Sequence, residues 1–355
     1  MSKHHPQNER IKRQYFAYLK EAQRYSEATV DAVAKALARF EDQSRHKDFK
    51  AFHFEQAVAF KRHLQAQRSL KSGAVLSIST TTATLAHLKR FFHWLAGQPG
   101  YKSRLRYADA DYFNASFKDA RVACSRRETR WPTLEQIGHV ISIMPAITEI
   151  QRRNRALLAF TLLTGARDNA IASMQLRHVD VARQCVYQDA REVRTKYSKT
   201  FTSHFFPVDE SIRAIVLEWV RWLREEKLWS MGDPLFPATR IAVDAQSQFK
   251  AVGLDRTGWR SAGPIRAIFR AAFEKAGLPY FNPHSFRHTL VQLGERRCRT
   301  PEEFKAWSQN LGHEGVLTTF CSYGSVPSGR QGEIMCGLAR AAPATDIDCR
   351  GQRGG

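Results

Sequence analysis

Apolar residues recur at helical spacing along most of this chain, and only a short central stretch alternates in the manner of strands. Val30, Val33, Leu37 and Phe40 share one helical face behind Ser26, which is a natural N-cap. Phe54, Val58, Phe60 and Leu64 predict a second helix, broken over 69–77, where Gly73 lies. Leu85, Leu88, Phe91, Phe92 and Leu95 predict a third over 82–95, stopped by Gly97, Pro99 and Gly100. A fourth is expected over 109–124. These elements predict a helical first domain over 1–125, followed by a charged linker over 126–132.

Thr133 and Gln136 form a capping-box pattern that opens a second domain, expected over 133–340. A strongly apolar helix over 155–163 runs to Gly165, a natural C-terminal stop. Segments 184–188, 192–196 and 202–208 predict a small sheet that closes at Pro207. Helices are expected over 212–223 and 261–276, and another begins at Asn282-Pro283. Thr300, Pro301 and Glu303 supply a cap, a proline at the first helical position and an acid in the first turn. The fold class is therefore mainly α with a small β-sheet (α+β). The tail over 341–355 is rich in Gly, Arg and Ala and is expected to be disordered.

Composition sharpens this picture. The 355 residues hold 55 Lys and Arg against 34 Asp and Glu, a net charge of +21. Such an excess points to a polyanionic partner, most often nucleic acid. The apolar runs are short and interrupted by charge, so no transmembrane helix is expected. Residues 1–13 lack an apolar signal core, so secretion is not expected. Cys124, Cys185, Cys298, Cys321, Cys336 and Cys349 are widely spaced, with no Cys-x-x-Cys pair. Reduced thiols in a cytoplasm, and neither a metal nor a cofactor, are the simplest expectation.

The candidate chemistry is concentrated near the C-terminus. His284-Ser-Phe-Arg287-His288 is followed by Leu311-Gly312-His313 and then by Tyr323. Upstream, Thr164-Gly165-Ala166-Arg167 places an arginine at a turn, and Lys196 and Lys199 lie in a basic stretch. Metal-free phosphodiester chemistry needs this inventory. Guanidinium forks clamp phosphate oxygens, a cation protonates the leaving oxygen, histidines manage protons and a tyrosine attacks. Arg126, Arg127 and Arg130 in the linker, with Lys199, are candidates for DNA backbone contacts.

In order and residue type, these motifs resemble the tyrosine recombinase (phage integrase) family across roughly the C-terminal two thirds of the chain. The resemblance implies a helical core-binding domain ahead of a catalytic domain. It implies an enzyme that cuts and rejoins double-stranded DNA through a 3′-phosphotyrosyl intermediate, of the kind found in mobile genetic elements. It assigns Tyr323 as nucleophile, Arg167 and Arg287 as phosphate clamps and Lys196 as general acid. His284 takes or relays a proton, and His313 bonds a non-bridging oxygen. It also implies a homotetramer on paired sites. A type IB topoisomerase-like enzyme and a DNA-binding relative without catalysis are the alternatives. Two departures stand out. Tyr323 falls ten residues after His313, one more than is usual in the family. Ala170 occupies a place where the family often has an acid that positions the first arginine; Asp168 or Asn169 is a possible substitute.

Overall fold

The computed structural model describes residues 4–69, 73–124, 130–243 and 247–313. Arg126, Arg127 and Tyr323 lie outside the described residues, as does the expected tail over 341–355. The chain forms two compact units, Met1–Arg127 and Glu128–Gly355.

The first unit is helical: α1 (Pro6–Ala17), α2 (Glu27–Gln43), α3 (Phe54–Ala66), α4 (Ile78–Ala96), α5 (Tyr107–Asp111) and α6 (Phe117–Cys124). Ser26 caps α2 as its sequence predicts, its hydroxyl accepting from the Thr29 amide. The core is built from phenylalanines. Phe92 stacks on Phe52 with ring centroids 3.8 Å apart and meets Phe40 edge-on at 5.2 Å. The structure differs from the sequence expectation in two places. The expected helix over 109–124 is two helices, α5 and α6, separated by the buried Phe113. In addition, α1 was not expected, although Ile11 and Tyr15 lie one turn apart on its buried face. It is held by Ile11 and Tyr15, and by the buried Asn8, which donates to the Lys47 carbonyl at 2.9 Å and accepts from the Phe49 amide at 3.0 Å.

The second unit opens with α7 (Leu134–Ile143), α8 (Glu149–Thr164) and the short α9 (Asp168–Ile171). The capping box of Thr133 and Gln136 starts α7, and a second one, of Thr148 and Gln151, starts α8. From Ala156 to Thr164 every residue of α8 is buried, so this helix is the axis of the core. A three-stranded antiparallel sheet follows: β1 (Val179–Asp180), β2 (Cys185–Gln188) and β3 (Phe201–His204), in that order. The strand expected over 192–196 is absent, and that segment is part of a loop over 189–200. Then come α10 (Glu210–Arg221), the hairpin of β4 (Thr239–Val243) and β5 (Phe249–Leu254), α11 (Gly263–Lys275), α12 (Ser285–Arg297) and α13 (Pro301–Asn310). The sequence reading missed β4 and β5; their apolar residues Ile241, Val243 and Phe249 are exposed. Among the described residues, no helix is long and apolar enough to cross a membrane.

One contact fixes the far end of α13. Asn310 lies beside the edge strand β3 and behaves like a further strand residue. Its side-chain oxygen accepts from the His204 amide at 2.6 Å, and its side-chain nitrogen donates to the His204 carbonyl at 2.9 Å. Ser203 Oγ donates to the Asn310 carbonyl at 3.0 Å and accepts from Gln188 at 2.9 Å. This pairing satisfies backbone groups that an edge strand otherwise leaves open. It also holds Leu311, Gly312 and His313 against the sheet.

Candidate active site

Three chain segments build the site. The first is the turn after α8. Gly165 adopts a left-handed conformation, with φ 61°, and redirects the chain so that Arg167 stands at the head of α9. A Cβ on Gly165 would lie 2.8 Å from the side chain of Leu311, so the turn also needs glycine for close packing. The second segment is the start of α12, where His284 occupies the N-cap position and Arg287 the first turn. The third is the Leu311-Gly312-His313 turn, where Gly312 has φ 69°.

Arg287 joins all three. It is 4% exposed. One terminal nitrogen donates to the Gly165 carbonyl; the other donates to the Leu311 carbonyl at 2.5 Å and contacts His313 Nε2 at 3.1 Å. A guanidinium has no acceptor, so His313 Nε2 accepts this bond and the His313 ring is neutral. Arg287 Nε is buried without a partner among the described residues. Burial, and then the charge of Arg167, push the Arg287 guanidinium down to about 9. It remains protonated at neutral pH.

The other members feel the same field. Burial holds the half-buried Arg167 below its ordinary value. Burial, then Arg287 and Arg167, push His313 down to about 3. Burial, then Arg287, His288 and Arg167, lower His284. His284 is exposed, so its ring is accessible from solvent. His288, one turn after His284, meets its ring edge-on at 5.6 Å and stacks on Trp131 at 5.7 Å. Thr289 Oγ1 bonds the Pro132 carbonyl at 2.5 Å, so residues 131 and 132 are held against α12.

No carboxylate among the described residues pairs with Arg167 or Arg287. Asp168 pairs instead with Arg266 at 2.7 Å, Asn169 is exposed, and Ala170 is buried in the core. Neither Asp168 nor Asn169 is seen holding Arg167. Among the described residues, no group of three or more His, Cys, Asp or Glu side chains is placed to hold a metal ion.

The two candidate lysines differ in setting. Lys196 lies at the exposed tip of the 189–200 loop, its ammonium 4.7 Å from the centre of the Tyr197 ring. Lys199 is half-buried and lines one cleft with Phe201, Gly312 and His313. Arg130 is exposed. Sequence reasoning missed Asn310, which positions His313. A polar side chain pairing with a distant strand leaves no local signal.

Comparisons with known proteins point to one family. Residues 133–293 match the model of the phage integrase family. The tyrosine recombinase XerC of Lactobacillus delbrueckii subsp. bulgaricus is 23% identical over 321 residues, covering 87% of this chain and 92% of the relative. Two solved structures share the fold. The Tn1549 transposon integrase in complex with transposon right end DNA has a TM-score of 0.58 and 13% identity, over 93% of this chain and 99% of its own. A lambda integrase dimer bound to a COC′ core site has a TM-score of 0.56 and 12% identity, over 88% and 95%. Residues 133–293 therefore form a phage integrase family domain, and the chain as a whole is similar to tyrosine recombinases.

Proposed function

We propose that this recombinase clamps a scissile DNA phosphodiester between Arg167 and Arg287 and cleaves it with Tyr323 as nucleophile. The phenol oxygen of Tyr323 bonds to phosphorus, and the 5′-oxygen of the next nucleotide leaves. The phenol proton passes to His284, and the leaving oxygen takes a proton from a lysine. The broken strand is kept as a 3′-phosphotyrosyl ester, from which an incoming 5′-hydroxyl reseals DNA by the reverse route.

One observation supports this reading above the others. Two guanidiniums and two imidazoles held neutral converge, and no carboxylate among the described residues pairs with either guanidinium. Such a cluster is complementary to a phosphate, and most of all to the charge that builds on its non-bridging oxygens during displacement. His313, neutral and bonded to Arg287, can donate through Nδ1 to one of these oxygens. Lys199, beside His313, suits the general acid better than Lys196, which the family resemblance alone favours. The net charge of +21 supports duplex DNA as partner. Assembly as a tetramer on paired sites, with residues 1–125 as core-binding domain and Arg126, Arg127 and Arg130 tracking the backbone, completes the proposal.

The test is trapping on a nicked suicide substrate. Wild-type protein should give a covalent protein–DNA band, including in EDTA. Tyr323→Phe should bind the same DNA equally well and give none. A band from the Phe variant would assign the nucleophile elsewhere, and strict dependence on a divalent ion would overturn the mechanism.

A further inference from the structure

The lysine-bearing loop over 189–200 has a root and a tip of opposite character. At the tip, Tyr197 and Ser198 have φ of 59° and 50°. Non-glycine residues in this region are held there only when their surroundings fix them. The tip itself is exposed, so the fixing must come from the root. Val193 is 1% exposed and anchors it on the core. Next to Val193, Arg194 bonds two other segments at once. Its backbone amide donates to Ser173 Oγ at 2.9 Å. Its guanidinium spreads across two successive backbone carbonyls, donating to Arg260 and, at 2.6 Å, to Trp259.

Both anchors are firm. Trp259 is 7% exposed and lies under the Arg153 guanidinium, 5.1 Å from its ring centre, and Arg153 is in turn held by the Pro237 carbonyl at 2.9 Å. Ser173 closes the turn that begins at Arg167, its hydroxyl donating to the Ala170 carbonyl at 3.0 Å. The two anchors also abut, since a Cβ on Gly258 would lie 3.3 Å from the Ala172 carbonyl. Arg194 therefore ties the lysine loop to the turn that carries the first phosphate-clamping arginine.

Resting on the reading of this loop as the carrier of the general acid, we propose that Arg194 is a positioning residue for that acid. By gripping the 259–260 backbone it fixes where the loop leaves the core, and hence where its lysine ammonium meets the leaving oxygen. Its two terminal nitrogens are committed to carbonyls, so its task is geometric. A misplacement of about 1 Å is enough to cost roughly 10²-fold in rate.

The experiment compares single-turnover covalent trapping on two suicide substrates, one with the natural 5′-bridging oxygen and one with sulfur there. A sulfur leaving group needs no proton, so only defects in acid delivery are rescued by it. Arg194→Ala should slow cleavage roughly 10- to 10²-fold on oxygen and restore nearly wild-type cleavage on sulfur, with DNA affinity unchanged. Arg194→Lys, able to reach one carbonyl, should fall between and serves as the second variant if Arg194→Ala folds poorly. Equal slowing on both substrates, or no slowing on either, overturns the inference. Lys196→Ala and Lys199→Ala are run beside it. If one of them is rescued by sulfur and Arg194→Ala is not, the acid reading stands and only the role of Arg194 fails. If neither lysine variant is rescued, the acid reading itself fails and the role of Arg194 falls with it.

Discussion

The two cationic halves of the site are built in opposite ways. Arg287 is buried, bonded to the Gly165 and Leu311 carbonyls and set by three converging segments. The lysine loop stands at the surface, with Lys196 exposed and Lys199 half-buried, and is secured at its root by Arg194. A charge that must stabilise a transition state gains most from being fixed in advance in a dry setting. A proton donor has to meet an oxygen that arrives with the substrate, and a surface loop lets it do so. On the proposed mechanism, clamping falls to the core and proton delivery to the periphery.

The largest effect expected from breaking this contrast is at Arg287. Removing the guanidinium leaves two buried carbonyls without a donor, at a cost of about 1–3 kcal/mol each. It also removes a buried cation that desolvation and the charge of Arg167 oppose, which offsets part of that cost. Arg287→Met should therefore keep a melting temperature close to wild type while covalent trapping disappears. Inorganic sulfate should raise the melting temperature of the wild type but not of this variant. A collapse of the fold without a sulfate effect in the wild type would make Arg287 a structural residue.

Lysine variants should show the complementary pattern. Lys199→Ala should lose about 10²–10⁴-fold in cleavage with no change in melting temperature, and sulfur substitution should restore it. Lys196→Ala should show a modest defect on both substrates. The reverse assignment follows if Lys196→Ala is the variant that sulfur rescues.

Between the two halves lies Gly312. A Cβ there would come within 2.6 Å of the Phe201 ring, at φ 69°. The conformational cost alone is about 1–2 kcal/mol, and the clash must shift β3 or His313. Gly312→Ala should lower the melting temperature by several degrees and slow cleavage on both oxygen and sulfur substrates, because it displaces His313 and with it the clamp. Rescue by sulfur would place Gly312 with the loop instead.

The smallest effect is spectroscopic. Because its pKa is lowered, His313 should stay neutral in free protein as pH falls from 8 to 5, where an ordinary imidazole protonates. Proton NMR of the ring, assigned with His313→Gln, reads this directly. A folded-state His pKa below the unfolded value contributes instability at low pH, so the wild type should lose stability on acidification through the ordinary imidazole range. A His313 titration near 6.5 would mean that neither burial nor the cationic field acts on the ring as described.

Much of this was legible in the sequence, for local reasons. Ser26, Thr133 and Thr300 cap their helices because a side-chain oxygen needs only its own next turn. Gly165 ends α8 because its left-handed turn suits glycine, whatever surrounds it. Thr148 and Gln151 carried the same signal for the true start of α8, although the apolar run alone suggested a later one. The order of Arg167, His284, Arg287 and His313 was visible because their chemistry restricts residue type.

What only the tertiary structure decided is what depends on distant partners. Helix α1 is fixed by the burial of Asn8, Ile11 and Tyr15, with Asn8 bonded to the distant Lys47 and Phe49 backbone. The strand expected over 192–196 is a loop because Val193 turns into the core and Arg194 bonds Ser173, Trp259 and Arg260 instead of a neighbouring strand. Asn310 pairs with β3, a contact across 106 residues that no window of sequence contains. The sequence alone determined which chemical groups are present and where the capped helices α2, α7 and α13 begin, since both follow from single residues and short spacings. The protonation of His313, the burial of Arg287 and the settings of the two lysines required the fold, because fields, desolvation and position arise only when remote segments are brought together.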